Sequence, residues 1–192
     1  MKTRVLGFLC STVVAFPALA ALEPGDTAPL FEAKASLNGE AFDYSLAQAL
    51  EEGTVVVYFY PSAYTQGCNM QAREFATKIE EFKAAGATVV GVSLDSIERL
   101  NDFSADPEYC AGKLAVASDE SGEIARSYEL SIREMAGMRD TRGVEIDHGF
   151  AERTTFIVTP DGKIAETIGG VSPIENVEKA LEAVQRLQHS AH

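Results

Sequence analysis

Hydrophobic positions along this chain fall into short apolar runs separated by stretches of helical period. Thr54 to Tyr60 reads TVVVYFY, a run of β-branched and aromatic residues that suits a strand buried on both faces. Pro61 ends that run. From Asn69 the chain reads NMQAREFATKIEEFKAAG, with Met70, Phe75, Ile79 and Phe82 at roughly helical spacing and Gly86 as a C-terminal cap. The pattern predicts a helix over 68–85, a strand over 88–93, a helix over 97–105, a weak strand at 114–117 and a short helix at 122–128. Two apolar runs joined by Pro160-Asp161-Gly162 predict a hairpin over 154–168, and a last helix is expected from Pro173 to about Leu187. Ahead of these lie a turn-rich segment from Glu23 to Pro29, a hairpin cornered at Asn38-Gly39, and a short helix through 47–51. Such an order implies an α/β protein whose mixed central β-sheet is flanked by helices on both faces. Residues 131–150, SIREMAGMRDTRGVEIDHGF, have no clear period and are expected to form a loop approaching the functional site.

The ends of the chain change the picture. Lys2 and Arg4 precede an apolar stretch from Val5 to Phe16, and Ala18-Leu19-Ala20 supplies a small-residue cleavage signal. Residues 1–20 are therefore expected to be a signal peptide and 21–192 a single domain. The apolar stretch is short for a membrane span, and GFLC around Cys10 lacks a lipoprotein pattern. The mature chain is expected to be exported, into the bacterial periplasm, with no membrane insertion. Cleavage would leave 172 of the 192 residues, enough for one core, and would remove two of the 16 basic residues but none of the 29 acidic ones. A mature balance of 14 against 29, or −15, argues against nucleic acid or anionic membrane as partners and suits small neutral substrates.

Of three cysteines, Cys10 leaves with the signal, so Cys68 and Cys110 remain. In an oxidising compartment a pair of cysteines invites one disulfide, and for an arbitrary exported chain a structural bridge is the ordinary reading. The position of Cys68 favours another. It falls in the first turn of the predicted helix, where unpaired N–H groups and the positive end of the helix dipole favour a thiolate.

Pro61, Thr65 and Cys68 satisfy the pattern P-x-x-x-[TS]-x-x-C as they stand, between the expected strand and the expected helix. Downstream, Arg153-Thr154-Thr155-Phe156 opens the first strand of the hairpin. In both stretches the chain resembles the peroxiredoxins, and with VVVYFYP before the motif it is most similar to their Q-type, or bacterioferritin-comigratory, branch. The resemblance spans most of residues 22–187. It implies a thioredoxin-like fold and a thiol-dependent peroxidase acting on hydrogen peroxide and organic hydroperoxides. It further implies Cys68 as the thiol that becomes a sulfenic acid, Arg153 as the arginine facing it, and Pro61 as its shield from water. Pro61 would end the strand in any case, and without the first motif Arg153 would read as a solvated edge charge.

Ionisation alone does not make an efficient peroxidase. Lowering a thiol pKa from about 8.5 to about 6 raises the thiolate fraction at pH 7 roughly 30-fold. A Brønsted slope near 0.45 then takes back roughly 13-fold, leaving a gain of about twofold. The peroxide must also be aligned and the leaving oxygen stabilised. Those tasks fall to Thr65, whose Oγ1 can accept from the peroxide and donate toward the sulfur, to the planar Arg153 donors, and to the N–H groups of Gly67 and Cys68.

Cys110 is the candidate resolving cysteine, in a turn with room to move and able to form an intramolecular disulfide with Cys68. Many Q-type relatives carry that cysteine five residues after the reactive one, where this chain has Arg73. If Cys110 cannot reach, the chain would be a one-cysteine enzyme resolved by an external thiol. Gln71 stands where relatives often have Glu. His148 is weighed as a base and set aside, since a formed thiolate needs none; Phe59, Tyr60 and Tyr64 read as packing residues. The expected partners are a hydroperoxide and a thioredoxin-like or low-molecular-weight thiol reductant, with the chain a monomer or dimer and no cofactor or metal. Rival readings are a disulfide oxidoreductase, which would want C-x-x-C where Cys68-Asn69-Met70-Gln71 has one thiol, a copper-binding module using the two cysteines and His148, and a non-catalytic protein with a structural disulfide.

Overall fold

The computed structural model describes residues 21–190, so the signal peptide expected over residues 1–20 lies outside the described part. The chain forms β1 (Glu32–Leu37), β2 (Glu40–Ser45), α1 (Leu46–Glu52), β3 (Thr54–Phe59), α2 (Gln66–Ala84), β4 (Ala87–Ser93) and α3 (Ile97–Ala105). It continues with β5 (Ala115–Ser118), α4 (Glu123–Ser127), β6 (Ile132–Arg133), β7 (Phe150–Ala151), β8 (Thr154–Val158), β9 (Ile164–Gly169) and α5 (Pro173–Ser190). Seven strands make one sheet in the order β2-β1-β5-β4-β3-β8-β9. The β3/β4 and β4/β5 pairs are parallel and the others antiparallel, so the sheet is mixed, as the sequence pattern predicts.

Alternation along β3 divides the core. Val56 and Tyr58 point into one cluster with Phe75, Phe82, Leu100, Phe103 and Leu181 of α2, α3 and α5. Val55, Val57 and Phe59 point into another with Leu46, Leu50 and Tyr128. This is why TVVVYFY is apolar at every position after the first: both faces of the central strand are covered. Opposite Tyr58 in β4 stands Gly91, where an added Cβ would lie 2.5 Å from Tyr58 Cζ. The glycine admits a ring that stacks on Phe75 and Tyr60 at centroid distances of 4.5 and 5.3 Å.

Register then places the segment that follows β3. β3 pairs antiparallel with β8, Phe59 opposite Thr154, so Arg153 emerges beside the segment that leaves β3 at Tyr60-Pro61. Residues 131–150 are more ordered than a loop without period suggests. β6 and β7 pair at their base, Arg139 bridges to Glu145 further out, and the excursion turns back onto residues 62–64. Among the described residues no helix is long and apolar enough to cross a membrane.

Candidate active site

Cys68 is the third residue of α2, 2 % exposed, with Thr65 at the N-cap. The first helical bond runs from Asn69 N–H to the Thr65 carbonyl at 2.8 Å, leaving the N–H groups of Gly67 and Cys68 among the unpaired donors of the first turn. Arg153 Nη2 donates to Cys68 Sγ at 3.4 Å, and its Nη1 donates to Gln71 Oε1. Gly67 makes this approach possible, because an added Cβ there would lie 3.2 Å from Arg153 Nη2 and 3.4 Å from Pro173 Cγ. Thr65 Oγ1 donates to the Ser62 carbonyl at 2.8 Å. That corrects the expectation that it donates toward the sulfur: its single proton closes the turn, and what remains for a substrate is its accepting lone pairs. Pro61, Arg133, Met135, Phe150, Ala151, Glu152 and Arg153 line a neighbouring cavity of about 260 Å³, which shares Arg153 and Pro61 with the site but is not lined by Cys68 or Thr65. A larger hollow of about 530 Å³ lies along the end of α5, lined by none of the site residues.

The segment between Pro61 and Thr65 is held from behind. Asp95, just past β4, accepts from Ala63 N–H at 2.7 Å, Ser62 Oγ at 2.8 Å, Ser93 Oγ at 2.7 Å and His148 Nε2 at 2.8 Å. Arg99 of α3 donates to the Ala63 carbonyl at 2.8 Å and pairs with Asp95 and Asp140. Thr141 donates through both N–H and Oγ1 to the Tyr64 carbonyl. These contacts fix Tyr64 at φ 62°, a left-handed conformation that few non-glycine residues adopt.

The network also settles the state of His148. Nδ1 faces the Gly149 carbonyl at 2.9 Å and Nε2 faces the Asp95 carboxylate, two groups that only accept, so both nitrogens carry protons. Burial opposes that charge, but the Asp95 hydrogen bond and charge, with the Gly149 carbonyl, raise the His148 pKa above its ordinary value. Burial likewise works against the Asp95 carboxylate, and the His148 bond and charge, the Ala63 N–H and the Ser93 hydroxyl hold its pKa below the usual range. Both imidazole nitrogens are engaged away from Cys68, so His148 supports the segment and is not a base. Nothing in the sequence marks this cluster, whose members come from four separated stretches.

Cys110 sits in the turn after α3, as expected, yet it is fully buried. The expectation of room to move is thereby corrected: the thiol belongs to the same core cluster as Tyr58 and Phe103, with Tyr109 packed against it. Burial, with Asp106 adding, pushes the Cys110 thiol well up. Both thiols are free. Among the described residues no group of His, Cys, Asp and Glu is placed to hold a metal ion.

A buried thiol in the first turn of a helix, with an arginine donor on its sulfur, is an arrangement suited to peroxide chemistry. Residues 24–167 match the AhpC/TSA family. The chain belongs to this family of peroxiredoxins. Its relatives include the putative peroxiredoxin bcp of Helicobacter pylori strain J99, 29% identical over 85% of this chain and 98% of that protein. Peroxiredoxin Bcp of Escherichia coli K12 is 32% identical over 74% of this chain and 83% of its own length. Among solved structures, peroxidoxin BcpB of Mycobacterium tuberculosis superposes with a TM-score of 0.72 at 27% identity, covering 86% of this chain and 98% of the other. Peroxiredoxin Q of Xanthomonas campestris superposes at 0.65 with 26% identity, covering 81% and 90%. This peroxiredoxin is thus of the Q-type branch, with the thioredoxin-like fold, and is a thiol-dependent hydroperoxide reductase.

Proposed function

We propose that Cys68 is the peroxide-reacting thiol, that Cys110 resolves it, and that the enzyme works after export. The observation that carries the first assignment is the Arg153 donor 3.4 Å from Cys68 Sγ in the first turn of α2. The thiolate attacks one oxygen of ROOH, the O–O bond breaks, and the leaving oxygen departs as ROH after taking up a proton, leaving Cys68 as a sulfenic acid. Thr65 Oγ1 accepts the peroxide O–H, while Arg153 and the first-turn N–H groups stabilise charge on the departing oxygen. Cys110 then attacks the sulfenic sulfur, releasing water and forming the disulfide, which two electrons and two protons from a thioredoxin-like or low-molecular-weight thiol return to two thiols.

One observation supports the pairing: Cys68 and Cys110 share one core cluster. Bond formation requires Cα atoms about 5.5 Å apart, so the first turn of α2 and the turn around Cys110 would open together. The burial of Cys110 favours a second reading, resolution by an external thiol. Export rests on the pattern of residues 1–20 and would make the electron donor a periplasmic protein. Mixing reduced protein with one equivalent of hydrogen peroxide and following intact mass tests the assignment, with Cys110→Ser alongside. Loss of two hydrogens in the parent and gain of one oxygen on Cys68 in the variant is the expected result. Oxygen added in both moves resolution to a partner; no fast reaction in either removes Cys68 from the role.

A further inference from the structure

Behind Arg153 runs a chain of buried side chains whose direction is set at its far end. The Ile168 carbonyl of β9 can only accept, so Asn176 of α5 must turn its amide nitrogen to it, which it does at 3.0 Å. Asn176 Oδ1 therefore faces the other way, accepting from Thr155 Oγ1 at 2.6 Å and from Gln71 Nε2 at 2.8 Å. That in turn obliges Gln71 to present Oε1 to Arg153 Nη1, leaving Nη2 for Cys68. Gln71, Thr155 and Asn176 are all completely buried, so no water offers an alternative set of bonds. A glutamate at 71 would set a carboxylate oxygen against Asn176 Oδ1, two acceptors face to face. Turning Asn176 to relieve it would set its oxygen against the Ile168 carbonyl.

We propose that Asn176 is a positioning residue for the peroxidatic site, fixing Arg153 through Gln71, and that the neutrality of Gln71 leaves the guanidinium charge for Cys68. The inference rests on Cys68 being the reactive thiol. It makes Gln71 and Asn176 a matched pair: the amide at 71 donates to Asn176 and accepts from Arg153 without cancelling the charge the sulfur faces, as an ionised carboxylate there would. The path also ties the site to the start of α5, whose Pro173 lies near Gly67 as Arg153 does.

The test uses Asn176→Leu and Gln71→Glu in the mature protein carrying Cys110→Ser, so that Cys68 is read alone. Two rates are measured across pH: reaction with hydrogen peroxide, which needs Arg153 in place, and alkylation by iodoacetamide, which needs only thiolate. Asn176→Leu is expected to slow the peroxide reaction at least tenfold while alkylation at a pH of full ionisation changes less than threefold. Gln71→Glu is expected to move the alkylation profile about one unit to higher pH, the size of a nearby charge being offset. An unchanged peroxide rate in Asn176→Leu, or an equal loss in both reactions, overturns the positioning role; an unmoved profile in Gln71→Glu overturns the charge argument and decides the matter if Asn176→Leu does not fold. A parent that alkylates but does not react with peroxide would instead refute the assignment of Cys68, and the Gln71→Glu profile would still report on Arg153.

Discussion

The guanidinium of Arg142 lies 3.3 Å from the centroid of the Tyr64 ring, capping the residue that holds the left-handed turn before Cys68. Arg142 is itself held by the Asp140 carboxylate at 3.0 Å, which also pairs with Arg99. A cation on a partly desolvated ring contributes about 1 kcal/mol, and Tyr64 needs such help to stay in that conformation. Arg142→Ala is therefore expected to release the segment more readily. Disulfide formation after peroxide should speed up severalfold, and less Cys68 should reach the sulfinic state at high peroxide. Quenched-flow mass spectrometry reads both quantities; an unchanged disulfide rate would mean that another contact limits opening.

The Asp95–His148 pair gives stability a pH dependence with a definite sign. The folded His148 pKa is raised above its reference of 6.5, so its contribution is complete below that value and is lost as pH rises through the higher folded value. The folded Asp95 pKa is lowered from 3.8, so its contribution is present above that value and is lost as pH falls through the lower one. Tm should therefore fall between pH 6 and pH 9, and His148→Gln should flatten that slope while lowering Tm at pH 6. Calorimetric scans at several pH values check it, and parallel slopes in the two proteins would contradict it.

Arg153→Ala should lower the second-order rate with peroxide by roughly 100- to 1,000-fold, the usual loss on removing a donor from developing negative charge. Arg153→Lys should recover only a small part. A compact ammonium lacks the planar fork that reaches Gln71 and Cys68 together. Stopped-flow measurement under pseudo-first-order peroxide provides the comparison, and full recovery by lysine would show that charge alone suffices.

Gly91→Ala should destabilise the fold by about 1–3 kcal/mol, because the new methyl meets a ring locked between Tyr60 and Phe75. Urea titration of the reduced protein measures this. Adding Tyr58→Leu should recover part of the loss by emptying the contested space.

How much of this was legible beforehand depends on how far apart the partners lie in sequence. The central strand, the helix opening near Cys68 and the Pro160-Asp161-Gly162 hairpin follow from periods and turn residues that act over a few positions, and their predicted limits fall within two residues of the observed ones. Thr65 and Cys68 are three apart and share a turn, so their proximity could be read; Arg153 was placed only through the resemblance. The support behind them could not be read. Asp95 meets His148 53 positions away, and Gln71 meets Asn176 105 away. Polar contacts of that kind impose no period, which is why residues 131–150 looked shapeless while holding Asp140, Thr141 and His148 in position. Cys110 misled for a related reason: DPEYCAG has the composition of an exposed turn, and only the packing of Tyr109 and Phe103 reveals that its thiol faces inward.

The burial of Cys110 bears on electron flow as well as on access. Drawing that thiol out of the core to join Cys68 gives up packing that the dithiol form keeps, so the fold favours reduction of the proposed disulfide. For a two-electron couple each 1.4 kcal/mol given up raises the reduction potential by about 30 mV. If Cys110 resolves Cys68 as proposed, a core that holds its second thiol this firmly would make the oxidised enzyme a ready electron acceptor.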